Sequence, residues 1–161
     1  LVGSEMCIRD SAQAAPVTPG IDPARTYALV VGVLNPESGE VAVARAGLPA
    51  PVFVPESGSV EVWAVPGPFL GVAETSFASH SKTLKPGDKL LIGTDGTRPD
   101  GDPGPGDDTK LLDTAKLHRT LSGQRFIDAI ATDLLGHVRH DDDFTLLGVE
   151  ISMSEVPHAR E

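Results

Sequence analysis

Leu84–Asp100 reads LKPGDKLLIGTDGTRPD, and the reading of this stretch decides the fold. Pro86-Gly87-Asp88 has the composition of a tight turn, Lys89 to Gly93 forms a short strand with an apolar centre, and Thr94-Asp95-Gly96 stops it abruptly. The stop delivers a carboxylate, Asp95, to a sheet edge. Further on, His140-Asp141-Asp142-Asp143 opens the last apolar run, Phe144 to Ile151. One acid thus ends a strand and others begin one. If the two strands are antiparallel neighbours, the acids meet at one edge. Carboxylates that converge with no Lys or Arg nearby repel one another unless a hard divalent cation sits between them. Oxygen-only ligation suits magnesium, manganese or calcium. The plainer readings are that Asp95-Gly96 is a common turn dipeptide and that three consecutive acids form a solvated loop. Repulsion keeps all three of Asp141 to Asp143 from pointing inward together, and which of them binds is open at this level.

Working outward, 161 residues make one domain's worth of chain, with 17 Gly and 14 Pro limiting the regular structure and the core to a modest size. The formal charge of −10, from 23 acids against 13 bases, argues against nucleic acid and anionic membrane surfaces as partners. The single cysteine, Cys7, excludes an internal disulfide framework and a cysteine-rich zinc site, and fits a reducing cytoplasm. No apolar run reaches the roughly 20 residues that a membrane helix needs.

Leu1 to Ser11, LVGSEMCIRDS, resembles translated sequencing-adapter read-through, and Ala12 to Arg25 is a small, proline-punctuated linker, so residues 1–25 are expected to lie outside the fold. Tyr27 to Leu34 and Glu40 to Ala46 read as a hairpin around Asn35-Pro36-Glu37-Ser38-Gly39. Pro51 to Val54 and Ser59 to Val65 form a second pair, with Trp63 expected as a core filler rather than a stacking ring. Thr97 to Asp108 is broken throughout by Pro and Gly and is a loop beside the proposed site. Thr109 to His118 is a short helix. Ser122 is placed to cap a second one, in which Phe126, Ile130, Leu134 and Val138 recur every four residues on one apolar face that packs on a sheet. Residues 153–161 read as a polar tail.

Four stretches then carry a resemblance: Arg45-Ala46-Gly47-Leu48-Pro49, Gly67-Pro68-Phe69-Leu70-Gly71, Leu84 to Gly96, and Asp141 to Leu147. In order and rough spacing, over about Thr26 to Ser152, they resemble the metal-dependent serine/threonine protein phosphatases (PPM type), in the bacterial branch typified by sporulation stage II protein E. The resemblance implies an α+β fold, an antiparallel β-sandwich flanked by helices, with two Mn2+ or Mg2+ ions at the sheet edge. It places metal ligands at Asp95, in Thr-Asp-Gly, and Asp142, in Asp-Asp-Phe-Thr, with Asp143, Gly96 and Thr94 as further candidates for metal contact or for support of the ligands.

The chemistry it implies is a metal-activated water attacking phosphoserine or phosphothreonine in line, with the metals offsetting charge on the phosphoryl oxygens. The partner would be a phosphorylated protein, in the bacterial setting a regulator of a sigma-factor switch, in the cytoplasm. Leu48 stands where this branch often has His, and Pro99 where an acid often follows Thr-Asp-Gly. The family's first ligand, in an upstream Gly-Asp-Gly-type motif, has no counterpart. The chain is therefore expected to be the C-terminal half of such a domain, incomplete as a sandwich and a poor enzyme alone.

Other chemistries find little support. Asp100, Asp102, Asp107 and Asp108 among glycines fit no EF-hand spacing. The five histidines include no helical i, i+4 pair, and there is no Gly-x-Ser-x-Gly elbow or phosphate-binding Gly-rich loop. Two classes remain: a phosphoprotein phosphatase, and a phosphatase-like module that binds or regulates without catalysis.

Overall fold

The computed structural model describes residues 27–70, 76–97, 109–136 and 143–152. Val138, Asp141 and Asp142 lie outside them, as do the adapter-like segment, the acidic loop after Thr97 and the tail. Within the described residues, two antiparallel sheets stack on each other and two helices cover one of them, as the α+β reading expects.

The first sheet has the order β1-β2-β5, formed by β1 (Leu29–Leu34), β2 (Glu40–Ala46) and β5 (His80–Thr83). The β1–β2 hairpin closes through Asn35, whose Oδ1 accepts the backbone N–H groups of Glu37 and Ser38 at 3.0 and 3.3 Å. Tyr27, expected inside β1, makes an isolated bridge to Leu70 instead. In β2 the large Val41 and Val43 face the second sheet, while Ala44 and Ala46 lie beneath Leu70 and Phe77 on the outer face. Small side chains on one face and branched ones on the other let both faces of β2 be covered.

The second sheet has the order β4-β3-β6-β7 and carries the site. Its strands are β3 (Val52–Val54), β4 (Glu61–Val62), β6 (Lys89–Gly93) and β7 (Leu146–Glu150). The central strand and the last strand are antiparallel neighbours in the register Lys89↔Glu150 through Gly93↔Leu146. β4 is shorter than the expected Ser59 to Val65, and β7 starts two residues after Phe144. Trp63, just beyond β4, is 8% exposed and packs with Val41, Val43, Val65, Leu84 and Leu90, which makes it the expected core filler.

Alternation along β6 sends Leu90 between the sheets and Leu91 under the helices. The helices are α1 (Thr109–His118) and α2 (Gly123–Leu135). Phe126, Ile130 and Leu134 of α2 are buried against Val52, Val54, Leu91, Leu111 and Ala115, as the four-residue spacing expects. On β7, Gly148 lies directly beneath Ile127, whose Cδ1 would be 2.5 Å from a Cβ at that position.

The start of α2 corrects one expectation. Ser122 occupies the cap position with extended backbone but makes no side-chain capping bond. Glu150 of β7 supplies the oxygen instead, its Oε2 accepting the Gly123 N–H at 2.6 Å. A carboxylate there also faces the positive end of the helix dipole. The other oxygen of Glu150 is 3.6 Å from the Lys89 ammonium, which donates to the carbonyls of Arg119 and Gly87 at 3.0 and 3.2 Å. Lys89 is 5% exposed, and its buried ammonium is met by two backbone carbonyls and an ion-pair partner.

The preceding turn is fixed in the same way. Asp88, also buried, accepts the Glu56 N–H on Oδ1 and the Lys85 N–H on Oδ2, both at 2.9 Å, and so ties the β3–β4 turn to the β5–β6 turn.

Candidate metal centre

β6 ends at Gly93, and the chain does not reverse there as a simple Asp-Gly turn would. It enters a single turn of 3-10 helix over Asp95–Thr97. Thr97 closes that turn, donating its N–H and its hydroxyl to the Thr94 carbonyl at 3.0 and 2.7 Å. Its methyl group leaves no room for a Cβ on Gly93. Sequence reasoning passed over Thr97, although a Thr three residues after the strand's last Thr is the available signal for such a turn.

Across the sheet, Thr94 donates its N–H to the Thr145 carbonyl at 3.1 Å. Its hydroxyl donates to the Asp143 carbonyl and accepts the Thr145 N–H, both at 3.1 Å. A Cβ on Gly96 would stand 2.8 Å from the Asp143 carbonyl carbon and 3.2 Å from Phe144 Cα. Gly96 and the segment that leads into β7 are thus in contact, at the edge where β6 and β7 pair antiparallel as expected. Asp95 is partly exposed and Asp143 exposed, and among the described residues no Lys or Arg forms an ion pair with Asp95. The described residues contain no group of three or more His, Cys, Asp or Glu that could hold a metal; Asp142, which directly precedes Asp143, is not among them.

The donor chemistry fits a hard divalent cation. The groups at this edge are the Asp95 carboxylate, with which no Lys or Arg among the described residues forms an ion pair, and backbone carbonyls, brought close because position 96 has no side chain. The other two sequence stretches reach the same end of the molecule. Val52 pairs with Leu91, so the residues before Val52 run past the sheet end that carries Asp95. There the Arg45 guanidinium donates to the Leu48 carbonyl and, through Nε, to the Val65 carbonyl at 2.6 Å, while the Gly47 N–H donates to the Gly67 carbonyl at 3.2 Å. A cavity of about 620 Å³ lies elsewhere, on the helix side of β7, lined by Lys89, Gly123, Phe126 and Glu150.

With the edge around Asp95 described, comparison with known proteins becomes informative. The family model for Stage II sporulation protein E (SpoIIE) matches residues 11–152. The chain belongs to the SpoIIE family. Among solved structures, it is similar to the RsbU and RsbW domains of a Mycobacterium tuberculosis protein, with 27% identity and a TM-score of 0.71 over 92% of this chain and 42% of that one. The phosphatase domain of the SpoIIE cell-fate determinant from Bacillus subtilis, presoaked with manganese, matches at 16% identity and TM-score 0.59, covering 92% of this chain and 65% of that one. RsbX in complex with magnesium matches at 19% identity and TM-score 0.64, covering 92% and 64%. The last two likenesses speak for the fold alone. The SpoIIE-family chain described here therefore spans between 42% and 65% of the length of these three structures. A search of curated protein sequences finds no match. No helix among the described residues is long and apolar enough to cross a membrane.

Proposed function

We propose that this domain is part of a metal-dependent phosphoprotein phosphatase acting on phosphoserine or phosphothreonine, with Mn2+ or Mg2+ held at the β6–β7 edge. The observation that carries the reading is the contact between Asp95-Gly96 and the Asp143 backbone in a chain of the SpoIIE family. Asp95, and Asp142 by its place in the sequence, would hold the ion, with Asp143 next in line. Two ions in such a centre supply a water nucleophile at neutral pH and offset charge on the phosphoryl oxygens.

The chain's own part is positional. The 3-10 turn fixes the backbone of Asp95, the Thr94 hydroxyl bonds the Asp143 carbonyl beyond the end of the ladder, and the missing side chain at position 96 lets the two segments touch. A partner regulating a sigma-factor switch, in the cytoplasm, is the physiological setting we assign; the likeness to the RsbU and RsbW domains and the single cysteine support it.

The test is Mn2+-dependent hydrolysis of a phosphoserine peptide by a protein carrying this domain, with and without Asp95→Asn. Loss of turnover in a folded variant is expected. Equal rates would refute the reading, and peptide binding without turnover in the unsubstituted protein would identify a binding module.

A further inference from the structure

We infer that Thr94 is a positioning residue, whose hydroxyl holds the two acid-bearing segments together so that Asp95 and the acids before Phe144 face one ion. The inference rests on the metal-centre reading above. The ladder between β6 and β7 ends at the pair Gly93↔Leu146. One step further, Thr94 still donates its N–H to the Thr145 carbonyl, but its own carbonyl is turned away and taken by the N–H and hydroxyl of Thr97.

The Thr145 N–H therefore has no backbone acceptor on β6, and the Thr94 hydroxyl oxygen takes that place at 3.1 Å. The proton of the same hydroxyl goes to the Asp143 carbonyl, also at 3.1 Å. One side chain thus carries both connections past the end of the ladder, between a residue adjacent to Asp95 and a residue adjacent to Asp142. A hydroxyl on a short stem, which both donates and accepts, does both.

Such a fastening has a physical purpose at this place. Asp95 and the run Asp141 to Asp143 carry like charge, so the segments repel when no cation lies between them. A bond between their backbones that involves neither carboxylate holds them together in either state. The cation then meets a site whose ordering has already occurred.

The experiment is Mn2+ titration of a protein carrying this domain, followed by electron paramagnetic resonance, for the unsubstituted chain and for Thr94→Val, Thr94→Ser and Asp95→Asn, each checked for folding by circular dichroism. Thr94→Val, which keeps the shape and removes the hydroxyl, is expected to weaken Mn2+ binding by about 10- to 100-fold. Thr94→Ser is expected to bind near the unsubstituted level. Normal binding by Thr94→Val beside lost binding by Asp95→Asn overturns the inference and leaves the metal-centre reading standing. Equal loss in the Ser and Val variants also overturns it, because keeping the hydroxyl would then rescue nothing. Normal binding by Asp95→Asn, or no binding by the unsubstituted chain, removes the metal-centre reading and this inference with it. Should Thr94→Val not fold, hydrogen exchange of the Thr145 amide decides: slower exchange on adding Mg2+ is expected, and an unchanged rate overturns the proposal.

Discussion

Gly96 and Asp143 touch through their backbones: a Cβ on Gly96 would lie 2.8 Å from the Asp143 carbonyl carbon, closer than real Cβ atoms come to such a neighbour. Gly96→Ala is expected to push the start of the last strand away from Asp95. Overpacking of this kind costs about 1–3 kcal/mol of stability. Mn2+ affinity is expected to fall by about tenfold or more, as when the support of a metal ligand is disturbed. Calorimetric titration of Mn2+ into the variant checks the second effect, and unchanged affinity would show that the contact is incidental.

Lys89→Met keeps the apolar stem and removes the ammonium that bonds the Arg119 and Gly87 carbonyls and pairs with Glu150. Leaving buried carbonyls without their donor costs about 1–3 kcal/mol. Urea unfolding is expected to show a lowered midpoint with little change in slope, and a midpoint equal to that of the unsubstituted chain would contradict the role given to this side chain.

Asp88→Asn retains one acceptor oxygen and turns the other into a donor facing a backbone N–H. The original carboxylate serves both Glu56 and Lys85. A loss of about 1.5–3 kcal/mol is expected for the bond to the charged group. Faster hydrogen exchange at the Glu56 and Lys85 amides would accompany it, and protection equal to the original would speak against the tie between the two turns.

Ile130→Ala removes a side chain with 0% exposure from the layer between α2 and the sheet. The expected cost is about 2–5 kcal/mol, depending on how far the surroundings collapse. Thermal unfolding measures it, and a cost below about 1 kcal/mol would mean that α2 is not docked as described.

The parts legible in the sequence are those with local causes. The β6 strand shows in an apolar run bracketed by Pro86-Gly87 and Asp95-Gly96, and α2 shows in the spacing of Phe126, Ile130 and Leu134. One acid ending a run and another starting one places both at the same edge once β6 and β7 pair antiparallel, and that pairing is what the fold supplies.

What stayed hidden has partners far along the chain. Ser122 has the right chemistry for a cap, yet the oxygen that reaches Gly123 comes from Glu150. Asp88 reads as a turn residue and Lys89 as the start of a strand, and only the folded arrangement shows them buried against carbonyls and amides of other elements. The same holds for Thr94, whose hydroxyl is spent across the sheet rather than within its own turn.

The Gly148–Ile127 contact acts as a gauge for the acid edge. Ile127 of α2 tolerates no side chain beneath it, so only one residue of β7 can sit there. Sliding the strand by one position would put Leu147 or Val149 under that methyl group and reverse the faces of every residue along the strand. The same slide would carry Asp143 about 3.4 Å along the sheet edge, away from Gly96. The hydrophobic layer thereby meters the reach of the acidic segment, and a one-residue deletion between Phe144 and Gly148 would misplace the carboxylates while leaving every one of them in the chain.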